Sequence, residues 1–281
     1  MKIKVTSDST CDLSKEYIEK HNISIAPLSV IIDGKALKDT IEIVPTDIFQ
    51  HVEKTGELPT TSAVNSADYI ELFSKYTKDY DAIIHVNIGS GFSCCNQNAV
   101  IAASEFNNVF VVDSQNLSTG HGIVVKQIVE MVENGMLVTD IVKEIEDIIP
   151  RVETSFVVNQ MDYLQKGGRC SAVVALSAKL LKIKPCIEVK NGAMIVAKKY
   201  QGSFSHVIKK YVIDRLENRN DIDFSHIFIT HTGVDKEIVE RASDLVAKYG
   251  KFEAVDETIA GCTVSSHCGP ATLGILFVKK K

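Results

Sequence analysis

Short apolar, β-branched runs alternate with amphipathic stretches through the first half of the chain. Residues 3–6 predict a strand, and the polar turn Ser7-Asp8-Ser9-Thr10-Cys11-Asp12 leads into a helix over 14–21. Residues 23–32 form a β-branched run that ends at the hairpin signal Asp33-Gly34. A helix is predicted over 46–54 behind Pro45, and Thr60-Thr61-Ser62 reads as a hydroxyl-rich loop. The next helix starts at Ser66 or Asp68 and runs to Tyr76. Strand 82–87, helix 93–106, strand 109–113 and helix 120–133 follow, a β-α-β-α rhythm that implies a parallel sheet covered by helices. Ile141, Val142, Ile145, Ile148 and Ile149 share one helical face over 138–149, and Pro150 is expected to end that helix.

Beyond Pro150 the rhythm changes. A strand over 154–158 precedes a short helix, 161–165, stopped by Gly167-Gly168. Residues 173–181 read as helical, and 187–190 and 193–198 flank Asn191-Gly192, the best hairpin signal in the chain. Helices over 205–216 and 236–249 and strands over 227–231 and 272–278 complete the pattern. The expected fold is α/β: an N-terminal parallel-sheet α/β domain, residues 1–150, and a C-terminal α+β domain with antiparallel pairing, residues 151–281.

Composition narrows the function. With 45% hydrophobic residues, no Trp and 7% aromatics, the core of this 281-residue chain is mostly aliphatic. A formal net charge of -5 argues against a general nucleic-acid binder. No apolar run is long enough to span a bilayer, so no stable membrane insertion is expected. The strand-like start Met1-Lys2-Ile3-Lys4-Val5 does not resemble a signal peptide, which leads to the expectation of a cytoplasmic protein. Seven cysteines are then reduced thiols. None forms a C-x-x-C pair and the adjacent Cys94-Cys95 cannot make a zinc corner, so neither a metal nor another cofactor is expected.

The candidate chemistry lies in polar clusters at the ends of apolar runs. The run Ile83-Ile84-His85-Val86-Asn87-Ile88 stops at Gly89-Ser90-Gly91-Phe92-Ser93 and a helical pattern follows at once. Such a turn leaves unpaired N–H groups at a helix start, a ready site for a phosphate or carboxylate. Ser93 can cap that helix and still offer its hydroxyl to an oxyanion. Thr60-Thr61-Ser62 and Ser265-Ser266-His267-Cys268-Gly269-Pro270 supply further hydroxyls and an imidazole. Each cluster is equally readable as turn, cap or satisfied loop chemistry, and Gly167-Gly168-Arg169 as a helix C-cap with a surface arginine.

Taken in order, these clusters resemble the DegV family of bacterial lipid-binding proteins. Ser7-Asp8-Ser9-Thr10-Cys11-Asp12 is similar to its S-D-S-x-x-D signature and Thr60-Thr61-Ser62 to its T-S loop. Ser90-Gly91-Phe92-Ser93 resembles its S-S-x-L-S turn and Val112-Asp113-Ser114 its V-D-S strand end. Tyr163-Leu164-Gln165-Lys166-Gly167-Gly168-Arg169 and His267-Cys268-Gly269-Pro270 resemble Y-L-x-x-G-G-R and H-x-G-P. The resemblance implies two α/β domains and a buried long-chain fatty acid. Its carboxylate would be held by Thr61, Ser62, Ser93 and His267, with Ser90, Cys94 and Gly269 nearby. It further implies a non-catalytic carrier that presents the acyl carboxylate to an ATP-dependent fatty acid kinase subunit. Residues 83–88, 120–133 and 173–181 have the apolar side chains to line an acyl tunnel, in which each buried CH₂ contributes roughly 0.8 kcal/mol.

The chain departs from the family pattern at Ala63-Val64-Asn65, where Gln-Pro-Ser is usual, and at Cys94-Cys95-Asn96, where Gly-Thr-Tyr is favoured. It also has Gly269-Pro270-Ala271-Thr272 in place of Gly-Pro-Gly-Ala, and the run Lys198-Lys199-Tyr200-Gln201 does not clearly place the basic residue that often follows the hairpin. These changes bear on the preferred lipid and on kinase docking more than on the fold. Two other readings stand beside the carrier. One is an enzyme on a small anionic substrate with Cys94 or Cys268 as nucleophile. The other is a redox module built on Cys94-Cys95, which could close only a strained disulfide.

Overall fold

The computed structural model describes residues 1–170 and 183–281; the helix expected over 173–181 lies outside the described residues. Residues before Pro150 build two sheets. One has four parallel strands in the order Ser24–Ala26, Ile3–Asp8, Ala82–Asn87, Val109–Asp113. Ile3–Asp8 and Ala82–Asn87 are buried at every position, as central strands covered on both faces must be. The other is a small antiparallel sheet of Lys35–Lys38, Ser29–Ile32 and Thr60–Ser62. The apolar run 23–32 is therefore two strands in two sheets, interrupted at Pro27, which has no N–H to give to a ladder. Asp33 and Gly34 both take positive φ, 51° and 73°, as a two-residue hairpin turn requires.

Residues after Pro150 build a six-stranded mixed sheet in the order Ala193–Gln201, Ile183–Lys190, Val152–Val158, Thr272–Lys279, Ile222–Thr232, Ala254–Ile259. All its pairings are antiparallel except the last. Asn191 and Gly192, at φ 52° and 71°, close the expected two-residue hairpin between Lys190 and Ala193. The chain is thus an α/β protein with a parallel four-stranded sheet and a separate mixed sheet. Pro150 does not simply end a helix: Val138–Ile148 passes into a 3₁₀ turn, Ile149–Arg151, with Pro150 at its first turn.

The four-stranded and six-stranded sheets share two apolar clusters. One apolar cluster joins Ile84, Val124 and Ile145 to Phe228 and Leu276, and a second joins Ile88 and Leu117 to Phe156 and Val264. Acidic side chains complete the joint. Asp12 accepts from Gly261 N–H at 2.8 Å, and Asp39 accepts from Cys262 and Thr263 N–H at 2.8 and 3.1 Å. These are N-terminal N–H groups of the short helix Cys262–Cys268, which its own sequence leaves uncapped. Two buried acidic side chains from the first half of the chain thereby fix the helix that carries His267.

Gly91 marks a close backbone approach between the halves. A Cβ built there would lie 2.2 Å from the Gly192 carbonyl oxygen. Gly91→Ala is expected to push the 89–93 turn away from the 191–192 hairpin and cost about 1–3 kcal/mol, read as a lower urea midpoint. An unchanged midpoint would show that the two turns do not depend on this approach.

Candidate functional site

Thr60–Ser62 is a strand and not the loop expected from its hydroxyls. It pairs with Ser29–Ile32, and the register sets Thr61 opposite Val30. Thr61 Oγ1 meets His267 Nε2 at 2.8 Å, across 206 residues of sequence. His267 is placed by the Cys262–Cys268 helix and pressed against Gly167, where a Cβ would come within 2.5 Å of Nδ1. Gly167 is therefore a space requirement for the imidazole. Gly168, at φ 69°, is the left-handed residue that ends the Asp162–Gly167 helix and turns the chain towards Arg169.

Burial, and then the Arg169 guanidinium, push His267 down to about 4, so the ring is neutral near pH 7. With Nε2–H donating to Thr61, the Thr61 hydroxyl hydrogen is free for an acceptor in the cavity. His267 Nδ1 is buried and has no partner among the described residues.

Thr61 and His267 open on a cavity of about 470 Å³, within the usual range of small-molecule sites. Its walls come from both halves of the chain. Leu28, Ile88, Phe92, Leu117, Met194 and Val264 make it mainly apolar. Ser62, Ser90, Ser93, Cys94 and Arg169 also line it. Arg169 is the one charged side chain among its described lining residues, so an anion meets a cation and no carboxylate there.

The other expected residues are placed unequally. Ser93 lines the cavity, but the helix begins two residues later, at Cys95, and ends at Ala103. The Ser93 hydroxyl accepts from Cys95 N–H and donates to Cys95 Sγ, both at 3.2 Å, so it does cap the turn. Ser62 is exposed at the rim, with its hydroxyl donating to the Ala63 carbonyl. Ser90 is also exposed, its hydroxyl donating to Asp113 at 2.6 Å. Gly269 is not among the lining residues; at φ 72° it is a turn residue packed on the Tyr163 ring. Arg169, read from sequence as a surface residue at a helix C-cap, is exposed and donates to the Gly167 carbonyl at 2.8 Å, and it also lines the cavity.

Of the three expected tunnel segments, the first contributes Ile88. The helix Thr119–Glu133 supplies no lining residue to the cavity and spends Ile123, Val124 and Ile128 on the core. The third lies outside the described residues.

Cys268 and Cys95 are poorly suited to nucleophilic work. Burial pushes Cys268 up to about 12 and Cys95 to about 11, the reverse of an activated thiolate. Cys94 is exposed and Cys95 fully buried, so the adjacent pair faces different surroundings. Among the described residues no cluster of His, Cys, Asp or Glu could hold a metal, and no helix is long and apolar enough to cross a membrane.

Fold and cavity together define an α/β protein of three sheets with a mainly apolar chamber lined from both halves of the chain. It belongs to the DegV family, which matches residues 2–280 and is described as "Uncharacterised protein, DegV family". A DegV domain-containing protein of Clostridium acetobutylicum is 31% identical over 281 residues, covering 99% of both chains. Among solved structures, a DegV family protein from Thermus thermophilus, described by its fatty acid binding, superimposes with a TM-score of 0.91 at 27% identity, covering 99% of this chain and 100% of that one. DegV from Bacillus subtilis, described as a fatty acid binding protein, gives 0.83 at 28% identity over 100% of both chains.

Proposed function

We propose that the chain binds a long-chain fatty acid, with the acyl chain in the apolar cavity and the carboxylate at Thr61, Ser93 and His267. The observation that carries this reading is the Thr61–His267 pair beside Arg169 at an otherwise apolar chamber. An anionic head with an aliphatic tail is the ligand that satisfies both parts. The two relatives described as fatty acid binding support it. Ser62 and Arg169 lie at the exposed edge and meet the carboxylate from outside.

A carboxylate held near an exposed rim suits a carrier, so the further proposal is a cytoplasmic, non-catalytic subunit. It presents the acyl carboxylate to a separate ATP-dependent fatty acid kinase subunit, which makes the acyl-phosphate. Residues 1–150 and 151–281 are proposed as its two domains, with the ligand between them.

Native mass spectrometry of the freshly purified chain, followed by solvent extraction, tests the binding. A stoichiometric mass excess that proves to be palmitate or a neighbouring chain length is expected. A bare mass that stays bare after incubation with fatty acids would overturn the reading.

A further inference from the structure

A second, smaller chamber of about 30 Å³ adjoins the main cavity. Leu117, Val264 and Cys268 line both and form the waist between them. Burial gives the two spaces a direction. Ser62, Ser90, Cys94 and Arg169 of the main cavity are exposed, so that cavity opens to solvent at a polar rim. Every described residue that lines the small chamber is buried. The chamber is therefore the closed inner end, reached from the main cavity through the waist.

The inner lining contains hydroxyls, but they are turned to protein partners. The Ser118 hydroxyl donates to Asp12 and that of Thr154 to Asn116 Oδ1 at 2.8 Å. The Thr232 hydroxyl donates to the Gly269 carbonyl, and that of Thr272 to the Cys268 carbonyl at 2.9 Å. Thr230 Oγ1 sits between the hydroxyls of Thr119 and Thr258. Phe156, Ala260 and Leu276 complete the wall, and the surface left to the chamber is almost entirely apolar.

Size then decides what fits. A space of about 30 Å³ takes roughly two water-sized groups, and an apolar wall gives water no partners. About two carbons of an aliphatic chain fill it and make the dispersion contacts that water would not. The groups suited to a carboxylate, Thr61, Ser93, His267 and Arg169, line only the main cavity. A fatty acid anchored there by its head has its chain directed away from the rim and towards the waist.

We infer that the small chamber takes the terminal carbons of the acyl chain and that its closed wall sets the longest chain accepted, with Ala260 as the specificity-determining residue. The inference rests on the fatty-acid reading above and names the substrate class within it: straight-chain acids up to one defined length. Ala260 lines the small chamber and not the main cavity, and it is 1% exposed. Carbon added to its side chain takes space from the chain end and leaves the head-group residues untouched.

Calorimetric titration of the delipidated full-length chain with saturated straight-chain acids of increasing length tests it. Affinity is expected to rise about fourfold per carbon to an optimum, then to fall at least about tenfold over roughly the next two carbons. In Ala260→Val the optimum is expected about two carbons shorter. Unchanged affinity for the shorter acids shows that the variant folds. A crystal structure with the best acid carrying a terminal bromine locates the chain end without any variant. The bromine is expected beyond Leu117, Val264 and Cys268, inside the small chamber. A wild-type series with no fall at the long end would overturn the chamber's role and leave the fatty-acid reading intact. So would an optimum unmoved in folded Ala260→Val, or a bromine on the main-cavity side of the waist. Failure of all the acids to bind would overturn both readings together.

Discussion

Replacing His267 by alanine is expected to weaken palmitate binding by about 10- to 100-fold. Hydrogen bonds to a charged group are each worth about 1.5–3 kcal/mol when the group is desolvated, and a tenfold change in affinity is about 1.4 kcal/mol. His267 supports the carboxylate through Thr61, whose Oγ1 it meets at 2.8 Å: with its one N–H given to that oxygen, the hydroxyl hydrogen is left for the ligand. Because the ring is pushed down to about 4, it acts as a neutral hydrogen-bonding group. Affinity should therefore not follow an ordinary histidine titration between about pH 6 and 8. A charged ring would instead lose affinity as the pH rose through its usual range. Thr61→Val removes the hydroxyl at nearly constant volume. In a double-mutant cycle with His267→Ala the two losses should be strongly non-additive, since each residue acts through the other. Calorimetric titration of the four proteins reads this directly. Wild-type affinity in His267→Ala, or strict additivity, would remove the pair from the head-group site.

Much of this site is legible in the sequence, and the missing parts share a cause. The strand–turn–helix at Gly89–Ser93 is local, so alternation and small residues reveal it. Only the helix start is displaced, because Ser93 spends its hydroxyl on Cys95 and the turn takes two more residues. Helix Lys236–Tyr249 and the Asn191-Gly192 hairpin are equally local and match their patterns. The Thr61–His267 pair is not local: on the residues alone His267 is a loop imidazole, and only the family motifs lend it a role. Thr60–Ser62 is too short to show a period, and pairing with Ser29–Ile32 makes it a strand. Cys262–Cys268 is helical because Asp12 and Asp39 cap it from more than two hundred residues away. Ala254–Ile259 is an edge strand whose exposed Asp256 and Glu257 hide its alternation. Arg169 shows the limit most plainly. Gly167-Gly168 correctly signals a helix end, yet nothing local says that the next side chain reaches a cavity.

Acid should unfold this protein well before its surface carboxylates titrate. His85 is fully buried and pushed down to about 3, first by desolvation and then by the nearby His121. His121, also fully buried, is lowered chiefly by desolvation, against the opposing pull of Asp8. With His267 at about 4 and His85 at about 3, two imidazoles stay neutral in the fold while the unfolded chain protonates them near pH 6.5, and His121 is shifted in the same direction. Between about pH 6.5 and 4 the unfolded state therefore binds more protons at these sites, and stability falls as the pH falls.

Asp12 works the other way. Burial, helped by Asp39 and Asp8, raises it to about 8, so the folded state holds a proton there that the unfolded state has lost above about pH 4. Its contribution is fully present at low pH and disappears as the pH rises through about 8. The unfolded chain then gains a net of about one to two protons below about pH 6, a slope of roughly 1.4–2.7 kcal/mol per pH unit. Against a usual total of about 5–15 kcal/mol, about two units of acidification are enough to unfold a marginal domain. Above neutrality Asp12 dominates, so maximum stability is expected close to about pH 7. Urea midpoints between about pH 4.5 and 9 check the shape. Asp12→Asn should steepen the acid limb by about 1.4 kcal/mol per pH unit and flatten the decline towards about pH 8. A midpoint constant from about pH 7 to 5 in the wild type would mean that the buried imidazoles take up protons without opening the fold.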